Sequence, residues 1–296
     1  MSANFWAGYI SGAIGIIVGN PLDITKVRLQ SQSSAPPVRP SYRSPHQAAA
    51  IFTTGTAAPI LGYGALNALL FVSYNRTEAA LNKALSVEKN LWSTWTAGAV
   101  GGLATWVIST PTELIKCRAQ ISPDQGSSWG IFQKIWRQQG LRSLYFGGGV
   151  TALRDGVGYG FYFWSYELLN RLWPTKKTQS ESSWQQEASK TLLCGGLAGI
   201  ATWVSVFPLD VIKTRVQTQA PSPMLDGTDT PLLTVQRKRG RVGAVQIMRE
   251  AYKEQGAAVF TRGLGVCCVR AFIVNAVQWA VYEWTLKELS DHTGGT

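Results

Sequence analysis

The sequence predicts an all-α membrane protein of six transmembrane helices, built as three tandem repeats of about a hundred residues with pseudo-threefold symmetry. Three observations carry that prediction. First, one eight-residue pattern occurs three times: Pro21-Leu22-Asp23-Ile24-Thr25-Lys26-Val27-Arg28, Pro111-Thr112-Glu113-Leu114-Ile115-Lys116-Cys117-Arg118 and Pro208-Leu209-Asp210-Val211-Ile212-Lys213-Thr214-Arg215. The copies start 90 and then 97 residues apart. Second, each copy closes an apolar stretch that opens with a glycine-rich run, and a glutamine follows two residues later (Gln30, Gln120, Gln217). Third, only 15% of the 296 residues are charged, against about 25% in ordinary soluble domains. Twelve tryptophans and 30 glycines match the usage of transmembrane helices and their interfaces.

The units divide as 1–86, 87–178 and 179–296. Aligned on their prolines, Gly8, Gly98 and Gly195 stand thirteen residues before Pro, and Gly12, Gly102 and Gly199 nine before; Gly15, Thr105 and Thr202 extend the row. Small residues four apart let helices approach closely in lipid, so each unit's first helix is expected to offer a packing face at one rotation. Each first helix runs on through its proline to the glutamine, as from Phe5 to Gln30, about 39 Å at 1.5 Å per residue and enough to span a bilayer with a bend. Pro21, Pro111 and Pro208 each remove a backbone donor near that end. A loop, a short amphipathic segment and a glycine turn come next. The turn pairs Gly55 with Gly62, Gly140 with Gly147 and Gly256 with Gly263, seven apart in all three. Second apolar stretches over 60–81, 148–172 and 264–288 complete six spans, with both termini on one side. Polar stretches near 82–91 and 174–188 link the units, Trp173-Pro174 being the sharper boundary.

Charge and composition exclude several classes. A net charge of +11 suits nucleic acid, but the basic residues fall by segment rather than on one amphipathic surface, so nucleic acid is not expected as a partner. Segments 26–62, 116–147 and 213–263 hold 18 of the 28 Lys and Arg, which puts the connections after each motif on one side of the membrane. Polar inserts at 31–46 and 218–242 bring the mean hydropathy to zero. Cys117, Cys194, Cys267 and Cys268 have no disulfide or metal spacing and are expected reduced. With only His46 and His292, a zinc site or a histidine triad has almost no material, and no cofactor is expected. No cleavable leader is expected before the first apolar stretch, which starts around Asn4. A membrane enzyme lacks a nucleophile–base constellation.

Acid and base within each motif are three residues apart, and the glutamine lies seven beyond the acid, so all share one helix face. Two pairings are open to such a face: a local one such as Asp23 with Lys26, or one between neighbouring units around an axis. Deeper in the second stretches, Gly62, Arg154 and Arg270 each stand twelve residues before Tyr74, Tyr166 and Tyr282. Arginines inside apolar runs are expensive unless they face a cavity. Asp155 adjoins Arg154, and neighbours on a helix do not face one another, so a ligand contact is favoured over an internal pair. Asn67, Tyr159 and Asn275 share a register and are further polar candidates, while Tyr63, Tyr159 and Trp279 offer rings to a cation. Two arginines suit a carboxylate and an aspartate suits an ammonium. Together they point to a small zwitterion.

The threefold Pro-x-acid-x-x-base motif, over nearly the whole chain, resembles the mitochondrial carrier family. The resemblance implies that Asp23 pairs with Lys116, Glu113 with Lys213 and Asp210 with Lys26 as a matrix-side gate, with Gln30, Gln120 and Gln217 bridging below. It implies short matrix-side helices, placement in the mitochondrial inner membrane (a peroxisomal membrane being the less favoured site), and a monomer that carries a solute by alternating access. Leu153-Arg154-Asp155 with Gly160-Phe161-Tyr162-Phe163-Trp164-Ser165-Tyr166-Glu167 resembles the fourth helix of carnitine/acylcarnitine and amino-acid carriers. Arg270-Ala271-Phe272-Ile273-Val274-Asn275-Ala276 is similar to their sixth. Ile273 replaces a usual proline, Asn20 a histidine, and Leu66 stands where ornithine-type carriers have an acid, so a dibasic substrate is less supported. At the opposite end, Tyr74-Asn75-Arg76-Thr77-Glu78, Tyr166-Glu167-Leu168-Leu169-Asn170 and Tyr282-Glu283-Trp284-Thr285-Leu286 lack the family's expected bases, Arg171 and Lys287 standing one position late. A weak outer gate that permits some net uptake beside exchange is the expectation. Helices opening at Gly147-Gly148-Gly149 and Gly263-Leu264-Gly265 are candidates to hold cardiolipin phosphates, although only Arg262 keeps the basic residue before the last glycine. The alternative is a non-transporting, carrier-like scaffold or lipid-binding protein, favoured by the lost outer bases and opposed by the intact signature charges.

Overall fold

A computed structural model describes residues 2–31, 56–86, 90–121, 128–173, 181–218 and 243–293. The first unit's amphipathic segment, Gly55, His46, most of both polar inserts and much of the second linker lie outside the described residues.

The chain forms helices α1 (Ser2–Ser31), α2 (Ala57–Leu85), α3 (Leu91–Ile121), α4 (Ser128–Gln139), the single turn α5 (Leu141–Leu144), α6 (Gly148–Leu172), α7 (Glu181–Gln217), α8 (Ala244–Gln255) and α9 (Leu264–Thr293), with a 3-10 turn at Ala257–Thr261. The six long helices α1, α2, α3, α6, α7 and α9 close into a ring in chain order, α9 packing back on α1. Among the described residues, four stretches meet the length and hydropathy of a membrane span: Trp6–Val27, Ala57–Leu85, Lys190–Gln217 and Ala257–Tyr282. The second repeat's helices fall short of that measure. Serines, threonines and glycines fill α3, and α6 carries Arg154, Asp155 and Glu167.

The ring is apolar outside and polar within. Val100, Leu103 and Val107 make an exposed stripe on α3, as Leu193, Leu197 and Val204 do on α7 and Val269, Phe272 and Ile273 on α9. Asp23, Lys26, Asp155, Asp210 and Lys213 are buried. In water that arrangement would fail; beside hydrocarbon it is the expected one.

Helices α1, α3 and α7 run through Pro21, Pro111 and Pro208. Pro111 cannot donate to the Val107 carbonyl. Tyr145, in the turn before α6, donates its hydroxyl there instead, at 3.1 Å. The surface helices clamp the same end: Ile135 of α4 packs with Leu114, Ile115 and Leu144, and Ile247 of α8 with Ile212 and Val216. Gly140, Gly147, Gly256 and Gly263 all have positive φ, between 67° and 94°. That left-handed backbone explains the two seven-residue glycine spacings. The first repeat departs from the expectation, because Gly62 lies inside α2 rather than at a turn. The glycine row on the first helices is also used unevenly. A Cβ on Gly98 or Gly102 would sit 2.6 Å from the Tyr159 carbonyl oxygen or 2.3 Å from that of Asp155, whereas one on Gly8 or Gly195 would meet nothing within 4 Å.

Candidate functional site

The three motifs meet at one end of the ring, and the structure favours pairing between units over local pairs. Lys116 Nζ lies 2.5 Å from Asp23 Oδ2, Lys26 Nζ lies 2.6 Å from Asp210 Oδ2, and Lys213 pairs with Glu113. Each acid thus binds the next repeat's lysine, and the three bonds tie the repeats in a cycle. In water, pairs of this kind would contribute little. Here the partners are largely buried, and removing one leaves a buried charge without its nearest counter-ion.

The glutamines divide. Gln30 donates to Asp210 Oδ2 at 3.0 Å and accepts from Thr214 at 2.8 Å, bracing the Lys26–Asp210 pair. Gln120 and Gln217 depart from the expected bridging. Gln120 donates to Asn20 Oδ1 at 2.9 Å, and Gln217 to Thr151 at 3.3 Å. Asn20 is wholly buried and takes up the Gln120 amide donor.

Next to this ring lies a cavity of about 310 Å³, lined by Arg154, Asp155, Tyr159, Arg270, Asn275 and Tyr63 among others. Asn67 does not line it; it hydrogen-bonds Tyr63. Both arginines also line the smaller space at the ion pairs. Arg270 Nε stands 2.5 Å from Asp23 Oδ1. Gly19 makes this reach possible, since a Cβ there would lie 3.1 Å from the guanidinium. Arg154 lies 3.6 Å from both Glu113 and Asp210.

The Arg154–Asp155 relation corrects the expectation that adjacent residues are too poorly placed to pair. Arg154 Nη1 donates to Asp155 Oδ1 at 2.6 Å. The long, flexible arginine curls back where a shorter cation would not reach. Ser109 donates to the other oxygen at 2.7 Å, and Asp155 is 2% exposed.

Trp203 was not singled out by sequence. It lies between the two spaces and lines both, with Lys26 4.2 Å and Arg154 5.4 Å from its ring centroid. A signal existed: Trp203, Asp210 and Gln217 are seven apart, hence on one helix face.

At the opposite end, Tyr74 donates to Glu78 at 2.8 Å and Arg171 to Glu167 at 2.9 Å within α6. The side chains of Glu283 and Lys287 lie outside the described residues. Among the described residues no group of three or more His, Cys, Asp or Glu could hold a metal.

Comparison with known proteins identifies the family. The family described as "Mitochondrial carrier protein" matches residues 1–85, 87–177 and 185–293. The chain is 33% identical over 291 residues to the mitochondrial arginine transporter BAC2 of Arabidopsis thaliana, covering 96% of this chain and 90% of that one. To the mitochondrial basic amino acids transporter of Bos taurus it is 36% identical over 302 residues, with 97% and 92% covered. To the mitochondrial carnitine/acylcarnitine carrier protein of Rattus norvegicus it is 30% identical over 302 residues, with 97% and 94% covered. The chain belongs to the mitochondrial carrier family: it is an inner-membrane transporter and not an enzyme.

Proposed function

We propose that this carrier moves a small zwitterionic solute, an amino acid or carnitine and its acyl esters, by alternating access through a six-span barrel. The observation that carries this reading is one cavity lined by two arginines, an aspartate and tyrosine rings, lying beside a closed cycle of three inter-repeat ion pairs. Arg154 and Arg270 hold the carboxylate, and the rings of Tyr63 and Tyr159 face the cationic end. Asp155, Asn275 and Asn67 complete or support the binding surface. Asp23, Lys26, Glu113, Lys116, Asp210 and Lys213 form the matrix gate, which holds while water is excluded and opens once water solvates the ions. The apolar outer stripe on α3 and exposed Leu153 on α6 support lipid-facing spans in the second repeat despite its lower hydropathy.

Among zwitterions, basic amino acids come first. Two of the relatives above are named for arginine or basic amino acids, and Leu66, the residue that spoke against a dibasic substrate, does not line the cavity. Uptake of labelled arginine, lysine and carnitine by purified carrier in liposomes tests this. Saturable uptake of at least one, lost in Arg154→Gln, is expected; no uptake of any of them would favour the non-transporting scaffold. If the outer gate is weak, part of the uptake persists without internal counter-substrate. An absolute requirement for counter-substrate would count against that part.

A further inference from the structure

We propose that Gln278 is a specificity-determining residue of the cavity: its amide oxygen accepts a hydrogen bond from the nitrogen-bearing end of the substrate's side chain. The carrier then prefers amino acids that end in N–H donors to those that end in a quaternary ammonium. This deepens the zwitterion reading and rests on it.

The first helix carries a bare ladder. Gly12, Gly15 and Gly19 share one face of α1, within about 60° of one another at 100° per residue. At the matching positions α3 has Gly102, Thr105 and Ser109, and α7 has Gly199, Thr202 and Val206. On α1 a neighbour's side chain lies where each missing Cβ would be: Tyr63 of α2 at Gly12, Gln278 of α9 at Gly15 and Arg270 of α9 at Gly19. All three line the cavity. A Cβ on Gly15 would stand 2.5 Å from Cγ and 2.6 Å from Nε2 of Gln278, so the seam between α1 and α9 sets where this amide sits. Gly15 is one turn farther than Gly19 from the ion pairs, which lays the amide and the Arg270 guanidinium about 6 Å apart along α1.

A cationic side chain needs an acceptor in this cavity, and its one acid is already engaged. Asp155 Oδ1 receives Arg154, and Oδ2 receives Ser109. Arg154 and Arg270 also repel a second cation brought to their depth. Among the described residues no hydrogen bond engages Gln278, so its oxygen is open to accept. A carboxylate on Arg270 and a donor on Gln278 call for a ligand spanning about 6 to 8 Å, the reach of a lysine or arginine side chain from its own carboxyl carbon. A trimethylated nitrogen suits the tyrosine rings but has no N–H to give.

Purified full-length carrier would be titrated with lysine and with Nε-trimethyl-lysine, which share backbone, chain length and charge and differ in the N–H groups. Affinity is read from the ligand dependence of the unfolding midpoint. The parent should bind lysine about tenfold more tightly. In Gln278→Leu the gap should close to within about twofold, through weaker lysine binding with trimethyl-lysine binding unchanged. Gln278→Glu keeps an acceptor at the same place, so it should hold the gap at about tenfold or more and show that the position tolerates substitution. Equal weakening of both ligands in Gln278→Leu would mark a packing role and overturn the assignment, as would a parent that binds the two alike. If lysine, trimethyl-lysine, arginine and carnitine all leave the parent's midpoint unmoved, the zwitterion reading falls and takes this one with it. A tenfold gap that persists in Gln278→Leu removes the role of Gln278 alone.

Discussion

The first and second repeats share a glycine register and use it in opposite ways. On α3, Gly102 lets the backbone of α6 come in at Asp155, and Gly98 does so at Tyr159, so two main chains touch. On α1, the equivalent Gly12 faces not a backbone but the ring of Tyr63, 2.0 Å from where a Cβ would sit. Tyr63 and Asp155 occupy the same register, eleven residues before Tyr74 and Tyr166. One position therefore yields a tight seam with a buried anion in one repeat, and a ring wedged between helices in the other. The seam anchors Asp155, which Ser109 and Arg154 also hold, so Arg154 is mounted on the rigid side of the cavity. The wall at Tyr63 is filled by a side chain able to swing. Small residues at helical spacing state where backbones are able to meet; the residue opposite decides whether they do.

A graded series of substitutions breaks the comparison. Asp155→Ala removes the anchor and leaves buried Ser109 and Arg154 short of a partner, so a loss of about 3 to 5 kcal/mol is expected, read as a fall in the thermal unfolding midpoint together with lost transport. Gly102→Ala comes next, at about 1 to 3 kcal/mol, because a backbone carbonyl cannot yield as a side chain does. Gly12→Ala should have a smaller effect, under about 1 kcal/mol, since the Tyr63 ring can rotate away, and it should change transport kinetics more than stability. Gly195→Ala meets nothing within 4 Å and should be neutral or slightly stabilising, within about 1 kcal/mol, from helix propensity. A Gly195→Ala loss as large as that of Gly102→Ala would show that the register itself, rather than the facing residue, sets the packing.

Much of the ion-pair cycle was legible because its motif is repeated. One acid and base three apart on a helix allow a local pair; three copies in matched positions make a cycle reasonable, and the pairs observed join residues 93 and 100 apart in sequence. The links from the cavity to the ion pairs were not legible. Arg270 and Asp23 are 247 residues apart, and their contact depends on the missing Cβ of Gly19 and on the length of an arginine, neither of which shows as periodicity. The Arg154–Asp155 pair was misjudged for a related reason: backbone direction was weighed, but the reach of a flexible side chain was not. Gln120 turned elsewhere because Asn20, a single unrepeated residue, offered it an acceptor. Hydropathy is lower in the second repeat because its polar and small residues serve the seam and the cavity while its outer face stays apolar.

The most direct test is a double-mutant cycle on Lys26 and Asp210, which join the first and third repeats. Unfolding of the purified carrier in lipid would be measured for Lys26→Gln, Asp210→Asn and the pair together. Each single change takes the nearest counter-ion from a buried charge, so the double variant should be less destabilised than the sum of the singles by about 2 kcal/mol. Strict additivity would mean that these two side chains do not lock the repeats together, and would contradict the account.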